Sequence, residues 1–275
     1  LIGVRAFMRW QWGTLTQKVE AVRAVDTATH PEFQGKGVFS KLTTTLLKEC
    51  QANQIKLVFN TPNKSSMPGY LKMGWIKGGI LPIAFKTARP VSMIFNGIMR
   101  SKKSIDYLHT DDSVKRYLTH PSLPELLTLF KKNFYSDEFT TSASVAYLKW
   151  RYTEIPVARY YAAGTESTGR LTSLFIYRIK STRWGLELRV TDLFYDSLQI
   201  LEHTRDLLMQ KLRTHQVEFV TFAHNRNNIL LKGMLSFNSR SFGPQVTLRD
   251  INGDHSKDFA DFAKWAPSLG DMELF

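Results

Sequence analysis

A single cysteine, Cys50, stands in 275 residues, which excludes an internal disulfide framework and a cysteine-based metal cluster. A reducing, cytoplasmic setting fits that usage. Long apolar runs are also missing: nothing approaches the roughly 18 consecutive apolar residues that cross a bilayer, so no membrane partner is expected. No signal-peptide pattern is visible. Acidic residues are scarce in one region only. Residues 1–100 hold 14 Lys and Arg against 4 Asp and Glu, whereas residues 101–275 hold 23 and 20. A local excess of this kind draws anions, whether nucleic acid, an anionic surface or a polyphosphate-bearing small molecule. No lysine-rich run with interleaved aromatics is present, so nucleic acid is not the expected partner.

What is present has the composition of a folded protein with a real core, 43% apolar and long enough for two domains. Leu1 to Trp10 and Gln17 to Ala28 read as an antiparallel strand pair closed by a turn at Gly13, and His30-Pro31 ends it. From Gly35 to Asn53, Val38, Leu42, Leu46 and Cys50 recur every four residues with Leu47 beside them, the stripe of an amphipathic helix. Ile55 to Phe59 is a strand, residues 60–63 a loop, Lys64 to Met73 a short helix, and Trp75 to Phe85 one further strand after the terminator Gly74. Helices are expected at Arg89 to Met99 and Pro124 to Phe134, separated by a polar piece with Asp111 and Asp112. A helix at Ala143 to Arg151, strands at Arg159 to Ala163, Leu171 to Ile179 and Leu186 to Phe194, a helix at Leu198 to Leu212 and a strand at Phe219 to Phe222 then repeat the first half's element order. A short helix at Asn227 to Leu235 and a strand region at Phe237 to Leu248 close the chain. This divides the chain into residues 1–88, a helical connector over 89–142, and a second unit over 143–275.

The chemistry-bearing stretch is Val25 to Ser40, where a strand passes through Gly35 and Gly37 directly into a helix. Such a turn lets backbone approach a ligand closely, and the first amides of the helix lack internal partners. With the partial positive charge of a helix start and Lys36 nearby, the segment reads as a diphosphate cradle.

Thr29-His30-Pro31-Glu32-Phe33-Gln34-Gly35-Lys36-Gly37 resembles the acyl-CoA signature of GNAT-type N-acetyltransferases, Gln/Arg-x-x-Gly-x-Gly/Ala at a helix start. Asn63 followed by Tyr70-Leu71-Lys72-Met73-Gly74-Trp75 resembles the same family's downstream Asn…Tyr-x-Lys-x-Gly-Phe segment. The sixth signature position is Phe39 in place of Gly or Ala. The resemblance implies an α/β fold with a mixed sheet, entered at the family's third strand, so that the first strands and helices would lie before Leu1. Beyond residue 140 the element order is similar to a second GNAT-like fold, but Tyr195-Asp196-Ser197 carries no Gln-x-x-Gly pattern, which implies a degenerate copy without cofactor.

The family reaction is direct attack of an amine on the thioester of acetyl-CoA, with no metal. By resemblance, backbone of Thr27, Ala28 and Thr29 lines the pantetheine arm, amides of Gln34, Gly35, Lys36, Gly37, Val38, Phe39 and Ser40 hold the diphosphate, and Asn63 touches the pantetheine. Tyr70 takes the general-acid position. The base is open. Arg23 stands where some relatives carry a glutamate, which leaves Asp26 as the candidate with His30, Glu20 or a water chain as alternatives. Asp271 or Glu273 of the C-terminal tail could reach the acceptor pocket, or the tail could simply anchor. The expected activity is N-acetyl transfer to a primary amine such as a small-molecule amine or amino sugar. The alternatives are a non-catalytic CoA-binding or scaffold protein, and an aminoacyl transferase on a doubled GNAT-like fold.

Overall fold

Pairs of apolar residues on alternate faces set up the first sheet. In β1 (Gly3–Gly13), Met8, Trp10 and Trp12 enter one apolar cluster while Phe7 enters another, and in β2 (Lys18–Thr29) Val19 and Ala21 join the first and Val22 and Ala24 the second. The two strands pair antiparallel, and the Thr14 amide closes their turn on the Gln17 carbonyl at 3.0 Å. Arg5 faces Thr27 and Ala6 faces Val25, which leaves Asp26 as the extra residue of a β-bulge. The computed structural model describes residues 1–99, 105, 113–134, 137–155, 158–223, 243–253 and 261–272.

A 3-10 turn at Pro31–Phe33 leads to α1 (Val38–Ala52), which buries Thr43, Leu47 and Cys50. Of the expected stripe, Cys50 and the adjacent Leu47 are buried, and Val38, Leu42 and Leu46 are half-buried. β3 (Leu57–Asn60) returns parallel to β2, and α2 (Met67–Lys72) ends at Gly74. The single strand expected over Trp75 to Phe85 is two, β4 (Ile76–Ile80) and β5 (Ile83–Thr87), which enter different sheets. The break falls at Leu81-Pro82, where proline lacks the amide a continuous ladder needs.

The connecting region holds α3 (Pro90–Met99), α4 (Val114–Leu118), α5 (Leu123–Phe134) and the short β6 (Thr140–Thr141). Then follow α6 (Val145–Thr153), β7 (Tyr161–Ser167), β8 (Arg170–Thr182), β9 (Gly185–Tyr195), α7 (Leu201–Thr214), β10 (Phe219–Ala223), β11 (Gln245–Asp250) and α8 (Leu269–Met272). Asp111, Asp112, Glu273 and the expected helix at Asn227 to Leu235 lie outside the described residues. Of the last expected strand region, only residues from 243 onward are described.

Two mixed sheets result, one ordered β4-β11-β3-β2-β1-β6 and the other β5-β10-β9-β8-β7. They are built alike. β8 and β9 form an antiparallel pair with a bulge at Thr191, α7 crosses over, and β10 lies parallel to β9, repeating β1, β2, α1 and β3. Each sheet is finished by a strand from the other half of the sequence: β11 lies between β3 and β4, and β5 pairs with β10. The chain thus has a doubled GNAT-like α/β fold whose halves exchange a strand, and a sequence division at 88 and 143 does not separate the sheets. The C-terminal segment packs between them, with Trp265, Leu269 and Met272 in the cluster of Trp10, Trp12 and Phe59 and the Trp12 and Trp265 rings 4.7 Å apart.

Candidate functional site

β2 and β3 pair only from Ala21 to Arg23, after which they diverge. The opening leads into a cleft of about 670 Å³ lined by Thr27, Ala28, Thr29, Gln34, Gly35, Gly37, Val38, Phe39, Ser40 and Asn63, together with Phe33, Ser65, Ser66 and Gly69. Ten of the expected cofactor residues therefore share one cavity, although they come from a strand, a turn, a helix start and a loop. Gly35 and Gly37 hold φ of 73° and 77°, the left-handed region that a side chain disfavours, and this is what swings the chain from strand to helix. The first helical hydrogen bond of α1 runs from the Lys41 amide to the Gly37 carbonyl at 2.9 Å, so the amides of Val38, Phe39 and Ser40 have no helical partner. No acidic side chain sits in that first turn. The arrangement can hold an anion.

Lys36 is the exception among the expected cofactor residues. It is exposed, its ammonium sits 5.1 Å from the centre of the Phe33 ring, and it does not line the cleft. Asn63 does line it, and its carboxamide oxygen accepts from the Ser66 amide at 2.8 Å, fixing the approach to α2. Phe39, the departure from the family pattern, sets its ring edge-on to Tyr70 at 5.3 Å and against Gly69, where an added Cβ would meet Phe39 at 3.1 Å. A bulky residue at the helix start is accommodated because α2 presents a glycine to it.

Tyr70 lies directly behind the lining residues Phe39 and Gly69, only 3% exposed. Its oxygen accepts a hydrogen bond from Arg5 Nη2 at 2.6 Å, and the Asn60 side chain also contacts it. Arg5 in turn donates to the Val25 carbonyl at 3.1 Å and lies over the rings of Phe7, Phe39 and Tyr70. Burial raises the Tyr70 pKa above 10, and this outweighs the opposing pull of Arg5 and Asn60, so the phenol is protonated at neutral pH. Burial also lowers the Arg5 pKa. Asp26, by contrast, is exposed on its bulge and has no ion pair or hydrogen bond among the described residues. Sequence reasoning missed Arg5, Asn60, Phe33, Ser65, Ser66 and Gly69. The cross-strand pairing of Arg5 with Thr27 was the one available signal, and it requires the bulge to be known.

The second half has the matching divergence, since β9 and β10 pair only from Glu187 to Arg189. There it is filled. Ala266, Ser268 and Asp271 from the C-terminal segment meet residues 190–194 of β9 and leave a cavity of only about 60 Å³. α7 begins without glycine and with Glu202 in its first turn, which repels an anion. Asp271 is buried in this cavity, where its carboxylate accepts from the Ser268 amide at 2.7 Å and the Ser268 hydroxyl accepts from the Asp271 amide. Burial and the neighbouring Asp192 push its pKa up to about 7.

A bulged hairpin, a parallel strand that diverges from it and a glycine turn opening a helix at the divergence define the acyl-CoA N-acyltransferase class of fold. Residues 1–78 match the family model described as acetyltransferase (GNAT) domain. Among solved structures, a GCN5-related N-acetyltransferase from Anabaena variabilis aligns at TM-score 0.60 and 15% identity, over 90% of this chain and 59% of that one. One from Kribbella flavida aligns at 0.56 and 14%, over 91% and 58%. N-myristoyltransferase of Saccharomyces cerevisiae with bound myristoyl-CoA aligns at 0.54 and 10%, over 90% and 66%. At these identities the likeness is one of fold, and the chain spans about three fifths of the length of the first two. No curated protein matches the chain.

Proposed function

We propose that the chain is an acyl-CoA-dependent N-acetyltransferase that passes the acetyl group of acetyl-CoA to a primary amine. The observation that carries this reading is the single cleft in which the free amides of α1, the left-handed glycine turn and the diverging end of β2 meet, with a buried protonated phenol behind them. In the reaction the amine nitrogen forms the new C–N bond as the C–S bond breaks; the ammonium loses a proton and the departing thiolate gains one. The amides of Val38, Phe39 and Ser40 receive the diphosphate, and Thr27, Ala28 and Thr29 line the pantetheine arm. Tyr70 supplies the proton for the thiolate, and Arg5 positions its hydroxyl. Asp26, open to water beside the cleft, relays the ammonium proton to solvent. The yeast N-myristoyltransferase in the same fold class makes acyl length a point to test, so a longer acyl-CoA belongs in the assay as competitor.

Calorimetric titration with acetyl-CoA should give one site per chain, and a panel of small amines and amino sugars should include one that is acetylated. Absence of heat at millimolar acetyl-CoA would sink the reading. Binding without transfer to any amine would assign the fold to a scaffold or CoA-binding role instead.

A further inference from the structure

α3 is patterned inside out. Val91, Ile94, Phe95, Ile98 and Met99 recur at the i, i+3, i+4, i+7, i+8 spacing of a buried helix face, yet each is between 61% and 81% exposed. The inward side carries one large apolar residue, the half-buried Met93, beside the polar Ser92 and Asn96 and the small Gly97. Asn96 is buried, the Ser92 hydroxyl donates to Glu218 Oε1 at 2.7 Å, and Gly97 sits so close to the Trp184 indole that an added Cβ would fall 2.1 Å from the ring. Five large apolar side chains on one short helix thus form a continuous exposed stripe, and a patch of this kind marks an interaction site.

The surroundings are basic. Lys86 and Arg89 lead into the helix, and residues 86–99 contain no Asp or Glu. Beside the helix, the Arg183 guanidinium lies 4.6 Å from the centre of the Trp184 ring, and Trp184 is itself 37% exposed. A tryptophan with an apolar body and a polar N–H suits a lipid headgroup boundary, and a basic rim suits anionic headgroups.

We propose that α3 docks the chain, lying in plane, on an anionic lipid surface. Charge decides between occupants: a second copy would bring two basic rims together, whereas anionic headgroups neutralise one. No helix among the described residues is long and apolar enough to cross a membrane, and none is needed, because ten residues of helix reach only about 15 Å. The expectation of no membrane partner rested on run length, which speaks to spanning alone.

Co-sedimentation of the whole chain with phosphatidylcholine vesicles, and with vesicles in which about a third of the lipid is phosphatidylserine, tests this. The chain should pellet with the anionic vesicles, and added NaCl should weaken that binding. Replacing Ile94→Asp and Phe95→Asp together should reduce it at least ~tenfold, because the apolar face supplies the insertion. Both positions are exposed, so the circular dichroism spectrum should not change, and Arg183→Glu, outside the helix, should weaken binding independently. Failure to bind anionic vesicles, or equal binding by the double variant, overturns the proposal. Self-association without vesicles that the double variant abolishes also overturns it, and assigns the face to a second copy.

Discussion

A phenol that accepts a hydrogen bond from a guanidinium would ordinarily give up its proton more readily. Tyr70 does not, because it is almost fully buried and burial disfavours the phenolate more than Arg5 favours it. The residue is thereby kept as an acid, with its oxygen held in place. Tyr70→Phe should leave acetyl-CoA binding intact and lower the transfer rate by ~100-fold or more, as measured by thiol release, since a positioned general acid contributes about that much. Arg5→Met removes the cation that lowers the Tyr70 pKa. The high-pH limb of the rate profile should therefore move further up, and a limb that moved down would refute the assignment. Asp271 poses the opposite kind of question, one of stability. The unfolded chain ionises it near 3.8, the fold holds its proton to about 7. Its contribution is thus fully present below pH 3.8 and is lost as the pH rises through 7. Asp271→Asn keeps an acceptor for the Ser268 amide but carries no charge. It should be more stable than the parent at pH 8 by on the order of 2–4 kcal/mol and equal to it near pH 4, as read from denaturant melts at the two pH values.

At the level of elements, the turn into α1 is governed by two backbone angles. Nothing lies within 4 Å of a Cβ built on Gly37, so Gly37→Ala would meet no neighbour and the cost is conformational alone, about 1 kcal/mol. The turn would relax away from φ 77° and carry the amides of Val38, Phe39 and Ser40 with it. Weaker acetyl-CoA binding with a melting temperature lowered by only a few degrees is the expected result; unchanged affinity would mean that those amides do not hold the diphosphate. The same element shows what a sequence reveals. Glycines that need positive φ act locally and leave a readable pattern, so the turn at Gly35 and Gly37 and the helix start after it could be read as an anion cradle. Thr27, Ala28, Thr29 and Asn63 were expected only through the resemblance to the GNAT signature, and Phe33 was missed. Arg5 could not be read from the sequence, because its approach to Tyr70 depends on a bulge that shifts the hairpin register by one residue. The break of the Trp75 to Phe85 segment into β4 and β5 was hidden for a related reason. The apolar residues continue through Leu81-Pro82, and only the partner sheets distinguish one strand from two.

Across the whole molecule, the exchange of β5 and β11 ties together what the element order suggests are two units. β3 has its second edge covered only by β11, and β10 has its second edge covered by β5, so neither sheet is complete without chain from the other half. Element order revealed the duplication, because helix and strand periods are local; the exchange is a long-range pairing that no local pattern encodes. The C-terminal segment adds to the coupling by occupying the divergence of β9 and β10 while its Met272 carbonyl accepts from the buried Arg23 of β2 at 2.8 Å. Separating the halves would strip hydrogen-bond partners from two buried strand edges and open the aromatic joint of Trp12, Phe139 and Trp265. Thermal unfolding should therefore proceed as one cooperative transition, with calorimetric and van't Hoff enthalpies in agreement. Residues 1–88 expressed alone should remain unfolded, since they keep β5 but lack the β11 that completes their own sheet. Two resolved calorimetric peaks, or a folded 1–88 fragment, would show that the exchanged strands do not bind the halves into one folding unit.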